Sequence, residues 1–152
     1  MDDTTRAKFE ISELISDYGN RLDAGDFDGL EQLFVEDAVF TVVPGDGVPR
    51  LTGAHSIRDT IEQRWRVVHE GAQRRHVMTN IVVESIAEDV ATARTVLLVY
   101  EVRKEPGARV GVHGMGVYED TLVRVDGRWR FEQRRLTLDR LDYFAPGWTS
   151  TE

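Results

Sequence analysis

The sequence predicts an α+β fold: N-terminal helices packed on a curved, mostly antiparallel sheet, a cone-shaped α+β barrel enclosing a cavity. Three observations carry this. The first half of the chain repeats apolar residues at three- and four-residue steps, the period of a helix. The second half holds four consecutive β-type runs joined by tight turns, which leaves no room for the crossover helices of a parallel sheet. The 152 residues make a single domain, 1–152, large enough to bury roughly 70% of its unfolded surface around a cavity.

Residues 4–24 form the first helix, with Ile11, Leu14, Ile15, Tyr18 and Leu22 on one stripe. Ala24-Gly25-Asp26 ends it, and Asp26 caps a short second helix carrying Leu30, Leu33 and Phe34. Residues 37–43 read as a strand, closed by the Pro- and Gly-rich loop 44–49. A third helix covers 55–69, with Ile57, Ile61, Trp65 and Val68 on one side. Strands follow over 75–86, 91–104, 111–125 and 128–138, rich in Val, Thr and Tyr. Asp126-Gly127 between the last two is a hairpin signal. Long antiparallel strands twist, so this sheet curls, and three helices on its concave side close the cone.

Nineteen Lys and Arg stand against 27 Asp and Glu, a net charge of −8. Nucleic acid and anionic membranes both need a basic footprint, so neither is expected as a partner. The only basic cluster, Arg124, Arg128, Arg130, Arg134 and Arg135, splits over two faces of the last strands. There is no cysteine, hence no disulfide, thiolate nucleophile or cysteine zinc site. The acidic start lacks the apolar core of a signal peptide, and no apolar run is long enough to span a bilayer. These features predict a soluble, cytoplasmic protein.

Several residues are out of place in a plain core. Strand alternation puts His76, Met78 and Asn80 on one face, where an imidazole titrating near neutrality is placed to act as a general base. The bland alternative is a histidine bonded to neighbouring backbone. Asp23 ends the first helix, where an anion opposes the dipole, a local cost that hints at a separate role. Tyr18 and Asp23 lie about 140° apart on an ideal helix and share a face only if the helix unwinds after Leu22. On the last strand Trp129, Phe131, Gln133 and Arg135 alternate together unless a bulge intervenes. Either Arg134 or Arg135 is placed to hold a substrate carboxylate or oxyanion, and the other is surface.

Three stretches carry a resemblance over residues 8–138. They are Tyr18-Gly19-Asn20-Arg21-Leu22-Asp23-Ala24-Gly25-Asp26-Phe27 with Leu33–Phe40, Arg75-His76-Val77-Met78-Thr79-Asn80, and Tyr118-Glu119-Asp120 followed by Asp126–Phe131. The chain resembles the SnoaL-like branch of the nuclear-transport-factor-2-like superfamily. Nearest in pattern are scytalone-dehydratase-like and bile-acid-7α-dehydratase-like proteins. The resemblance implies the cone fold and a pocket in which Tyr18, Asp23 and His76 match a Tyr, Asp, His catalytic set. Scytalone-dehydratase-like enzymes add a second histidine on a later strand, for which this chain offers His113. The superfamily also includes isomerases, cyclases, epoxide hydrolases and non-catalytic subunits, so fold alone does not name a reaction.

The four histidines, His55, His69, His76 and His113, form no metal-binding pair, and no metal or cofactor is expected. Gly111–Gly116 lies within a strand and is no phosphate cradle. The expected function is a cofactor-independent dehydratase or isomerase acting on a hydrophobic polycyclic, aromatic or steroid-like small molecule. Asp23 and His76 transfer the proton, and Tyr18 or a last-strand arginine stabilises oxygen. Arg134, Arg135, Asn80, Met78, Trp65, Tyr118, His113 and Phe40 are the candidate substrate contacts, with Leu14, Leu22, Leu98 and Met115 as further lining. Two alternatives stay open. One is a non-catalytic ligand-binding protein or subunit. The other is an epoxide-hydrolase-like enzyme, whose second aspartate the sequence does not assign. A homo-oligomer, dimer or trimer, is expected to cover the outer sheet face. The aromatic tail 141–148 is either a lid over the cone or packing outside the sheet.

Overall fold

A computed structural model describes residues 2–43, 50–68, 71–108 and 110–139. The loop 44–49, His69 and the tail 141–148 lie outside the described residues.

Helix α1 runs Asp3–Ala24. Asp2 caps it, its carboxylate accepting from the Thr5 N–H at 2.9 Å, and Gly25 ends it in the left-handed region at φ 72°. Its buried stripe is Ala7, Ile11, Leu14, Ile15, Tyr18, Gly19 and Leu22. Each fully buried isoleucine contributes about 1.5–3 kcal/mol over leaving it in water. Helix α2, Phe27–Glu31, is capped by Asp26, which accepts from the Gly29 N–H at 3.0 Å. It ends before Leu33 and Phe34, which the sequence assigned to it. The Leu33 carbonyl instead accepts from the Phe131 N–H at 2.8 Å, and this contact starts a strand.

That strand is β1, Phe34–Val43, paired with the short β2, Leu51–Thr52, on one side. Helix α3, Ala54–Val68, follows and packs on α2, β1 and β2. Four long strands follow: β3 Ala72–Ala87, β4 Val90–Arg103, β5 Gly111–Val125 and β6 Arg128–Leu138. They form the expected meander. The sheet order is β2-β1-β6-β5-β4-β3, with β1 parallel to β6 and every other pair antiparallel. Among the described residues the curved sheet is not closed, and β2 and β3 are its edges. Helix α1 lies across β3 and β6, and the core fills the space between.

Bulges decide which residues face that core. In β3 the register slips between Thr79 and Val82, so Ile81 and Val83 turn to the core and Asn80 is left exposed at φ 50°. Simple alternation had put Asn80 inside and Ile81 outside. Asparagine is among the few side chains tolerated at that backbone angle, which is reason enough for its presence. In β6 Thr121 pairs with Gln133 but Leu122 pairs with Phe131, leaving Glu132 as the extra residue. The buried phase therefore shifts from Trp129 and Phe131 to Arg134, Leu136 and Leu138. Leu98 and Met115 pair with each other on the outer face, Met115 being 40% exposed, and they do not line the interior. Among the described residues no helix is long and apolar enough to cross a membrane.

Candidate active site

Asp23 is in the last turn of α1 and His76 in the fifth position of β3. They meet because α1 comes unusually near the sheet at Gly19, where a Cβ would sit 3.1 Å from the His76 carbonyl oxygen. One turn on, Asp23 Oδ1 is 2.6 Å from His76 Nδ1. The same carboxylate accepts from the His76 backbone N–H, at 3.1 Å through Oδ1 and 3.0 Å through Oδ2. Both side chains are nearly buried, 10% and 12% exposed. These bonds hold an anion at the helix end that disfavours it. A carboxylate only accepts, so Nδ1 donates to Asp23, and Nε2 is the nitrogen left to exchange a proton with a ligand. Such a pair is equipped to take a proton and to stabilise the resulting imidazolium. Gln73 steadies the turn, its amide donating to the Arg74 carbonyl at 2.8 Å and reaching the Asp23 carbonyl at 3.5 Å. Met78 packs beside Gly19.

Tyr18 does not join them. α1 stays helical through Ala24, so Tyr18 points away from Asp23 into a second cluster. Its ring meets Phe34, Tyr118 and Phe131 edge to face at 6.0–6.1 Å. The Arg134 guanidinium lies over Tyr118, Tyr18 and Phe131, 3.8, 4.0 and 4.3 Å from the ring centres. Phe40 is its buried register partner on β1. Asp120, the cross-strand partner of Arg134, places Oδ1 3.4 Å from Nε. That is ion-pair reach without a hydrogen bond. Burial pushes the Asp120 carboxyl up to about 6, against the lowering pull of Arg134. Burial also raises both tyrosines, Tyr118 well above the usual phenol value, so both hydroxyls stay protonated.

A third group stands beside His76 along the inner face. Arg74 donates through Nε to Glu101 at 2.9 Å, and its Nη2 lies 2.6 Å from His113 Nε2. An arginine only donates, so this contact keeps His113 neutral at Nε2. Burial first, and then the Arg74 charge, lower the His113 pKa, with Glu101 opposing. Trp65 packs edge to face on Phe27 at 5.5 Å and covers Gly25, behind the end of α1. Arg135 is exposed on the outer face, opposite Glu119, so of the two arginines Arg134 faces inward. Clefts around Phe9 and Trp129, and around Arg58 and Trp65, contain neither Asp23 nor His76. Among the described residues no group of His, Asp or Glu is arranged to hold a metal ion.

Sequence reasoning missed Asp120, Arg74 and Glu101. For Asp120 a signal was present: it shares the phase of Gly116, Tyr118 and Leu122, an acid among inward residues.

The comparisons bear on the fold. The chain is similar to an NTF2-like protein with a cystatin-like fold from Novosphingobium aromaticivorans, at 29% identity over 90% of this chain and 84% of that one, TM-score 0.78. A protein of the same organism whose name proposes a scytalone dehydratase is 28% identical over 95% and 93% of the two chains, TM-score 0.77. A protein of that organism whose name proposes the β subunit of an aromatic-ring-hydroxylating dioxygenase is 20% identical over 92% and 94% of the two chains, TM-score 0.75, a likeness of fold alone. No curated protein matches the chain. The profile of the SnoaL-like domain matches residues 3–135, nearly all of the described structure, and the chain belongs to that family.

Proposed function

We propose that the protein is a cofactor-independent dehydratase or isomerase in which His76 is the general base and Asp23 its orienting partner. The 2.6 Å contact between Asp23 Oδ1 and His76 Nδ1, reinforced by the His76 N–H, carries the reading. A pocket that only binds has no need of a nearly buried carboxylate aimed at an imidazole.

The substrate is a hydrophobic, polycyclic or aromatic small molecule with a proton next to a carbonyl. His76 Nε2 takes that proton, and the C–H electron pair passes to the carbonyl oxygen as an enolate. Asp23 stabilises the imidazolium as it forms. Arg134, buried with no hydrogen bond made by its guanidinium, is the donor proposed for the developing oxygen. In a dehydration the enolate then expels the β-hydroxyl, which takes the imidazolium proton and leaves as water. In an isomerisation the proton returns to another carbon. The same reading takes the protein to be a cytoplasmic homo-oligomer. In support, Val77, Val82, Val112 and Met115 are exposed on the sheet.

The test is His76→Ala assayed on β-hydroxy ketones. Loss of water formation by about 10²–10⁴-fold with an unchanged melting temperature is expected. Turnover within a few-fold of wild type would remove His76 from the chemistry.

A further inference from the structure

We propose that Arg134 and Asp120 form a recognition site at the buried end of the cone for an uncharged ligand unit that pairs an acceptor oxygen with a neighbouring hydroxyl, the chemistry of a hydroxy ketone. This rests on the inner face being the ligand cavity and adds what the cavity selects.

Arg134 and Asp120 are 1% and 4% exposed, yet Nε, Nη1 and Nη2 of the one and both oxygens of the other have no hydrogen-bond partner in the protein. Thr95, one sheet position away beside Tyr118, has an unpartnered buried hydroxyl as well. So dense a group of unmade bonds is not left alone in a folded interior. Something in the working protein must both accept and donate there.

The surroundings narrow what it is. Tyr18, Tyr118 and Phe131 lie against the guanidinium, and its hydrogen bonds run in its own plane, so a partner approaches at its edge. Along that row the register neighbours are Phe40 and Ala93, both apolar. Asp120 stands in ion-pair reach of Arg134 and balances its charge, while burial pushes the carboxyl up to about 6. A carboxylate ligand would bring a second anion against Asp120 in a dry site, which is unfavourable. A neutral ligand meets no such cost. Its carbonyl accepts from Arg134 and its hydroxyl donates to Asp120, satisfying both members of the pair. This use of Asp120 leaves proton transfer to His76.

The test is calorimetric titration of the full chain at neutral pH with benzoin, deoxybenzoin and bibenzyl, which differ by the hydroxyl and then the carbonyl. His76→Ala protein is used, so that turnover does not distort the isotherms. The expected order is benzoin over deoxybenzoin over bibenzyl, about tenfold at each step. Asp120→Leu should erase the benzoin preference and tighten diphenylacetate about tenfold, because the acceptor is gone and Arg134 is then uncompensated. If that variant does not fold, the order of the three neutral probes decides alone. Equal affinity for benzoin and deoxybenzoin, or binding of none, would overturn the proposal and leave a structural ion pair satisfied by trapped water. Failure of the His76 reading looks different: the affinity order would stand while proton transfer proved indifferent to His76.

Discussion

Gly19 of α1 faces the backbone carbonyl of His76 so closely that a Cβ at position 19 would lie 3.1 Å from that oxygen. The helix can deliver Asp23 to the imidazole only because nothing larger than hydrogen stands in this gap. Gly19→Ala should therefore move α1 outward by a few tenths of an ångström and weaken the Asp23–His76 contact. Alanine also favours the helix by about 1 kcal/mol, which offsets the crowding. The expected result is a fall in kcat/KM of about tenfold with a melting temperature near wild type. Steady-state kinetics with a thermal melt checks both halves.

Asp23→Asn keeps the shape and removes the charge. The amide can orient the imidazole either way and no longer stabilises its cation. Activity should fall about 10²–10⁴-fold. Stability should hold or rise slightly, since the carboxylate sits at the disfavoured end of a helix. A large loss of stability in denaturant titration would mark Asp23 as structural instead.

Asp120 makes stability depend on pH in an unusual direction for a carboxylate. Its folded pKa is raised to about 6 from 3.8. Between those values the native state holds a proton that the unfolded chain has lost, so the contribution is full below about 4 and disappears as pH rises through 6. The change is about 3 kcal/mol. Chemical denaturation of wild type and Asp120→Asn at both ends of this window should show their difference shrink or reverse by that order.

The two neighbouring arginines should behave as opposites. Arg135→Ala, on the exposed face, should change stability by less than about 0.5 kcal/mol and activity by less than about twofold. Arg134→Ala strands the buried Asp120 carboxyl and should cost about 3–5 kcal/mol. Equal effects would contradict the bulge at Glu132.

That bulge also shows where the sequence stops being readable. The extents of α1 and α3, the meander and the hairpin at Asp126-Gly127 follow from local period and turn chemistry and agree with the structure, the two helices to within a residue or so, whereas α2 is shorter than its apolar pattern implied. The parallel pairing of β1 with β6 does not follow from either, since it joins residues more than ninety positions apart and no local pattern marks it. Bulges are equally silent: one extra residue reverses every side chain beyond it, which is how Asn80 moved out and Arg134 moved in. That Asp23 and His76 meet was legible because an acid at a helix C-terminus sits against its local preference and strand alternation turned His76 inward. Tyr18 was read as their neighbour, but only unwinding of α1 would have brought it round, and Gly25 keeps the helix intact to Ala24.

The central claim is that His76, held by Asp23, removes a proton beside a carbonyl, and hydrogen exchange measures that step without knowledge of the natural substrate. Deoxybenzoin in heavy water, followed by proton NMR, should exchange its methylene hydrogens faster with wild-type protein than in buffer. His76→Ala, melting at the same temperature, should lose that acceleration by about 10²–10⁴-fold. Equal exchange by the two proteins would contradict the account.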